Sequence, residues 1–126
     1  MDEKKYLKLN DIEAYKDAFN LSNKVFGIVM SWDYISKDTV GKQFIRATDS
    51  ISANIAEGFG RYYKKEKIQF YRYSYGSLYE SLDWNEKARV RNLLTEDDYK
   101  VILKSLQTHP KSINSLIKYT NLKLTN

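Results

Sequence analysis

Apolar side chains recur every three to four positions through four long segments, with polar residues filling the intervals, a spacing that predicts helices. The first predicted helix covers roughly 11–30. Leu9 followed by Asn10-Asp11-Ile12-Glu13 is a start signal: Asn10 can cap, and Glu13 can reach back three residues. Its predicted core stripe is Ile12, Tyr15, Phe19, Ser22, Phe26 and Val29, flanked by Ala18 and Val25, while Glu13, Lys16, Asp17 and Lys24 go to solvent. Ser31 to Lys37 breaks the period and reads as a connection, with Trp32 and Tyr34 covering the bundle end and Asp38 capping the second helix, 38–58. Gly58 and Gly60 are expected to close that helix with positive φ. The third helix, 65–90, puts Phe70, Tyr73, Ser74, Ser77, Ser81, Trp84 and Ala88 on one stripe with Tyr71, Leu78 and Leu82 beside it; Arg72, Asp83, Glu86 and Lys87 take the wet side. Thr95, with Asp98 three residues on, opens the fourth helix, 96–119, whose period runs through Tyr99, Ile102, Leu106, Ile113 and Ile117. Pro110 falls inside it, so a kink or split is expected near Thr108, and the tail after Tyr119 is expected to fray.

The second helix has the least surface to give to water. Val40, Phe44, Ala47, Ile51, Ile55 and Gly58 form its core stripe, but Ile45, Ser52 and Ala56 form another, and Arg46, Ser50, Ala53 and Glu57 a third. Only Arg46 and Asp49 are charged between Gln43 and Ala56. A chain of 126 residues makes one domain with one core and hardly covers such a helix on every side, which predicts self-association. Four helices with short connections give an all-α, antiparallel up-down-up-down four-helix bundle over 1–126.

Composition supports that reading and narrows the chemistry. One proline and five glycines leave the helical segments nearly uninterrupted. Without cysteine there are no disulfides and no thiolate metal sites, which fits a reducing cytoplasm. Met1–Asn10 is charged, without the apolar run of a secretory signal, and no stretch approaches the roughly 18 apolar residues of a membrane span. The net charge of +5 is concentrated after the second helix, where Arg61, Lys64, Lys65, Lys67 and Arg72 face only Glu66.

Candidate chemistry is sparse. The single His109 stands beside Pro110 with no cysteine to pair with, is expected to be exposed, and supports neither a nucleophilic triad nor a zinc site. The Glu-x-x-His pairs of di-iron bundles and the Walker phosphate loop are both missing. A polar set, Arg46, Asn54 and Glu57 with Glu80 from the third helix, has two acids that general acid–base work could use; Arg46 supplies a counter-charge, so a structural or oligomer network is the expected role. The turn after the second helix interleaves Arg61, Lys64, Lys65, Lys67 and Arg72 with Tyr62 and Tyr63, cations for phosphates and rings for unpaired bases. The bland alternative is a solvated basic helix start with its tyrosines packed in the core or an interface.

Gln43-Phe44-Ile45-Arg46-Ala47, Ser50-Ile51, the block Asn54-Ile55-Ala56-Glu57-Gly58-Phe59-Gly60-Arg61, and Gly76-Ser77-Leu78-Tyr79-Glu80 resemble the 23S rRNA intervening-sequence protein family, the four helix bundle proteins. The resemblance covers roughly Leu9 to Tyr119. It implies a bacterial cytoplasmic protein forming a homopentamer around a central channel. Some relatives are encoded within intervening sequences of large-subunit ribosomal RNA genes, and a distant one binds nucleic acid and a reverse transcriptase. The expectation is therefore a non-enzymatic ring, without cofactor, metal or membrane, that binds RNA or other nucleic acid through the basic turn; the alternative is a ring-shaped scaffold for a protein partner.

Overall fold

A computed structural model describes residues 8–124, so most of the charged leader and the last two residues lie outside the described residues. Helix α1 is Glu13–Met30. Helix α2 is Lys42–Gly60, entered without a break through an α-helical turn, Tyr34–Ser36, and a π-helical turn, Lys37–Gly41. Helices α3 and α4 are Lys64–Val90 and Glu96–Lys123. Each packs on two neighbours, in the order α1, α2, α3, α4 and back to α1. Contacts fix antiparallel directions: Arg61 lies over Phe70 and Asn54 meets Ser77 between α2 and α3, Tyr75 meets Asn114 and Asn85 meets Tyr99 between α3 and α4, and Lys24 meets Asp98 between α1 and α4. No helix among the described residues is long and apolar enough to cross a membrane.

The core follows the predicted stripe in α2 and departs from it in α1. Val40, Phe44, Ala47, Ile51, Ile55 and Gly58 are all buried, joined by Thr48. In α1 the buried side chains are Ala14, Ala18, Leu21, Ser22, Val25 and Val29, while Phe19 and Phe26 are each 49 % exposed. Small residues at 14 and 18 let the helices approach, since packed helices generally have axes about 8–10 Å apart, which leaves room for alanine where a ring would not fit. The same substitution of small for large shapes α3, which buries Ser74, Ser81 and Ala88 with Tyr71, Leu78 and Asn85 and leaves Tyr73 exposed. The serine hydroxyls find carbonyls there, Ser74 Oγ donating to Ile51 at 3.0 Å and Ser81 Oγ to Ser77 at 2.8 Å.

Helix ends obey capping chemistry, though not always at the expected residue. Thr95 Oγ1 accepts from the Asp98 amide at 3.0 Å, as expected for the α4 start. Asn10 does not cap α1; it lies in a 3-10 turn, Leu9–Asp11, and Ile12 occupies the cap position. The helical run before α2 starts at Tyr34, four residues before the predicted 38, because Asp33 and not Asp38 is the cap, accepting from the Ser36 amide at 2.9 Å. The connection therefore shrinks to Ser31–Asp33; Trp32 packs against the core, and Tyr34 stays exposed. No glycine has positive φ; α2 runs on to Gly60 and stops where Arg61 turns extended. Asn92, at φ 61°, is the left-handed residue that closes α3, with Leu93 N donating to the Ala88 carbonyl at 2.9 Å.

Helix α4 continues through Pro110 without a split, and it persists to Lys123, past the predicted end at Tyr119. Its buried line is Ile102, Leu106, His109, Ile113, Leu116 and Thr120, so His109 is a core residue with only 2 % exposure, contrary to its expected place at the surface.

Candidate nucleic-acid interface

Arg61, Tyr62 and Tyr63 form the whole connection between α2 and α3, and their neighbours divide into two groups. Arg61 and Lys67 face inward. Arg61 Nη2 pairs with Glu57 Oε2 at 2.8 Å, and its guanidinium lies 4.6 Å from the centre of the Phe70 ring. Lys67 Nζ donates to the Phe59 carbonyl at 2.7 Å, satisfying one of the acceptors orphaned at the end of α2, and burial lowers its pKa. These two cations hold the corner together.

The other group faces water. Tyr62 is 76 % and Tyr63 55 % exposed, their rings meeting edge to face at 4.9 Å and 88°. Lys65 and Arg72 are exposed and Lys64 is half-buried. Neither Lys64 nor Lys65 is ion-paired among the described residues. An exposed aromatic pair beside uncompensated cations can stack on unpaired bases while neutralising the flanking phosphates. Of the seven residues anticipated here, Tyr62, Tyr63, Lys64, Lys65 and Arg72 are thus placed for an outside ligand, and Arg61 and Lys67 are occupied within the chain.

The polar set on α2 and α3 does not form one network within the chain. Glu57 is paired with Arg61 and not with Arg46, which stands eleven residues away, about 16 Å along the helix axis. Asn54 bridges the two helices, its Nδ2 donating to the Ser50 carbonyl at 2.9 Å and lying 3.4 Å from Ser77 Oγ. Arg46 and Glu80 are exposed, and neither is ion-paired among the described residues. The wetted line of α2 is Lys42, Arg46, Asp49, Ala53 and Glu57, largely charged, so the expected apolar surplus there is narrower than its residue types suggest. That surplus lies on α1 instead: Phe19, Phe26 and Met30, spaced seven and four apart, form an exposed apolar row.

Comparison with known proteins agrees with the bundle. A crystal structure of a protein of unknown function from the S23 ribosomal protein family of Bacteroides thetaiotaomicron superposes with a TM-score of 0.73 at 18 % identity, over 83 % of this chain and 98 % of that one. At that identity the likeness shows a shared fold. No curated protein matches the sequence. Residues 10–115 match the family described as 23S rRNA-intervening sequence protein, and with the four helices and the Asn54–Arg61 block in place, the chain belongs to that family.

Proposed function

We propose that this protein is a non-enzymatic, cytoplasmic, self-associating bundle that binds single-stranded RNA through the turn between α2 and α3. The observation that carries the reading is the exposed Tyr62–Tyr63 pair with Lys64 and Lys65 immediately after it. Rings supply a stacking platform that tolerates any base, and the lysines supply salt-dependent affinity. Fluorescence anisotropy with labelled single-stranded fragments of ribosomal RNA, repeated over a salt series, tests it. Affinity should fall steeply as salt rises, and Lys64→Glu with Lys65→Glu should abolish binding while the thermal melt stays put. Absence of binding by the wild-type protein at 50 mM salt sinks the proposal. It would favour the other reading, in which the exposed tyrosines engage a protein partner.

The α1 row of Phe19, Phe26 and Met30 supports self-association, and five copies is the number that the family resemblance implies. Such a ring would multiply a weak basic turn into one multivalent face. Phe19→Glu with Phe26→Glu should convert the assembly to monomers in sedimentation velocity, with the helical circular dichroism kept because neither ring lies in the core. A double variant that sediments as the wild type removes α1 from the interface.

A further inference from the structure

Lys100, Lys104, Lys111 and Lys118 are all exposed on α4, and at 100° per residue they fall within a sector of about 40° on the side opposite the buried line. From Tyr99 to Leu124 the chain has no Asp or Glu. Of these four lysines only Lys100 is ion-paired among the described residues, to Glu96 at 3.7 Å, and Gln107, Asn114 and Ser115 between them are exposed and uncharged. Lys104 to Lys118 spans about 21 Å.

Helix α3 forms the other bank of this surface. Tyr75 donates its hydroxyl to Asn114 Oδ1, which places Tyr75 at the seam, and Lys65, Arg72 and Tyr79 lie on the solvent side of the same flank. Of the acids nearby, Asp97 and Glu80 are exposed and not ion-paired among the described residues, Asp97 at the end of the lysine row away from the turn and Glu80 about 140° around α3 from Tyr75; the others are engaged or turned away. Asp83 pairs with Lys87, Glu86 with Arg89, and Glu13 on α1 with Lys16, while Glu66 lies nine residues from Tyr75, about 180° around α3. Because α4 runs antiparallel to α3, its last lysines arrive at the end of the bundle that carries Tyr62, Tyr63, Lys64 and Lys65.

We propose that the outer α3–α4 face is a second polyanion surface, a track that takes the sugar–phosphate backbone of a single-stranded nucleic acid leading away from the tyrosine turn. The proposal rests on the turn reading only for where the strand starts; the charge row stands independently of it. A lipid surface fits less well, since a helix lying on a membrane needs an apolar face for the acyl chains, and that of α4 is buried in the bundle.

The test uses labelled oligouridines of 4 and 15 nucleotides over 50–400 mM salt, with wild type, Lys104→Ala/Lys111→Ala/Lys118→Ala, and Lys64→Glu/Lys65→Glu. Alanine keeps the helix, and circular dichroism melts check it. On the 15-mer the triple alanine variant should lose about two from the log–log salt slope, or roughly a hundredfold in affinity at 0.1 M salt, at 0.7 per phosphate contact; the 4-mer, held at the turn, should bind as before. Unchanged slope and affinity on the 15-mer overturn the track, and leave the turn reading standing if the double Glu variant binds neither probe. A triple variant that loses the 15-mer while the double Glu variant keeps it establishes the track and removes the turn. If wild type binds neither probe, both readings fall. Phosphatidylserine vesicles that sediment with wild type but not with the triple variant, without oligonucleotide binding, overturn the proposal in favour of lipid.

Discussion

Taking the pH from 7 to 4 should remove about 3 kcal/mol of folding stability through His109 alone. Burial pushes its imidazolium down from an ordinary pKa of 6.5 to about 4, and its Nε2 is buried with no hydrogen-bond partner among the described residues. Below 6.5 the unfolded chain takes up a proton that the folded chain refuses until about pH 4. Stability is therefore fully present above 6.5 and is lost as the pH falls through that window. Urea melts of wild type and His109→Leu at pH 7, 6, 5 and 4.5 isolate the effect, because the titrating carboxylates are common to both. The gap between the two proteins should widen in favour of leucine at each step down. A constant gap would show that His109 takes up its proton equally in both states.

His109 also shows what the sequence made legible and what it hid. The α4 period of 102, 106, 113 and 117 pointed at position 109, yet a polar side chain beside a proline reads as surface when judged by type and not by register. The bulky rings of α1 misled in the opposite sense. A helical wheel weights Phe19 and Phe26 by hydrophobicity, whereas the bundle needed the small Ala14 and Ala18 at its closest approach and turned the rings outward. Where bulk and periodicity agreed, as in Phe44, Ile51 and Ile55 of α2, the assignment was right. The site was harder to read because composition lists cations without their partners. Nothing in the sequence tells Lys67, whose amine caps α2, from Lys65, two residues earlier and exposed.

Gly58→Ala should cost about 1–3 kcal/mol, a fall of roughly 4–10 °C in Tm, and Gly60→Ala should cost nothing or stabilise by about 0.5 kcal/mol. Both glycines are helical with negative φ, so neither is required for a chain reversal. A Cβ at Gly58 would stand 2.7 Å from Tyr71 Cε1 and 2.9 Å from the Lys67 carbonyl oxygen, and the second of these is backbone that cannot swing aside. At Gly60 nothing lies within 4 Å. Differential scanning calorimetry of the two single variants decides the point. Equal losses at both positions would mean that conformational freedom, and not the close approach of α3, is why glycine stands at Gly58. Tyr71 is the partner in that approach, 2 % exposed, with its phenol pushed up to about 12 by burial.

The π-helical turn at Lys37–Gly41 accommodates one residue more than an α-helix of the same rise. Removing one of its solvent-facing residues, Asp38 or Thr39, would therefore let the helix run on as ordinary α-helix, with the turns before and after the cut kept in register. Trp32 would stay against the core, and Asp33 would keep Ser36 as its capping partner because both precede the cut. This short span is therefore where the chain can shed a single residue without disturbing what it joins, whereas the same cut farther along α2 would turn one end against the other by about 100°.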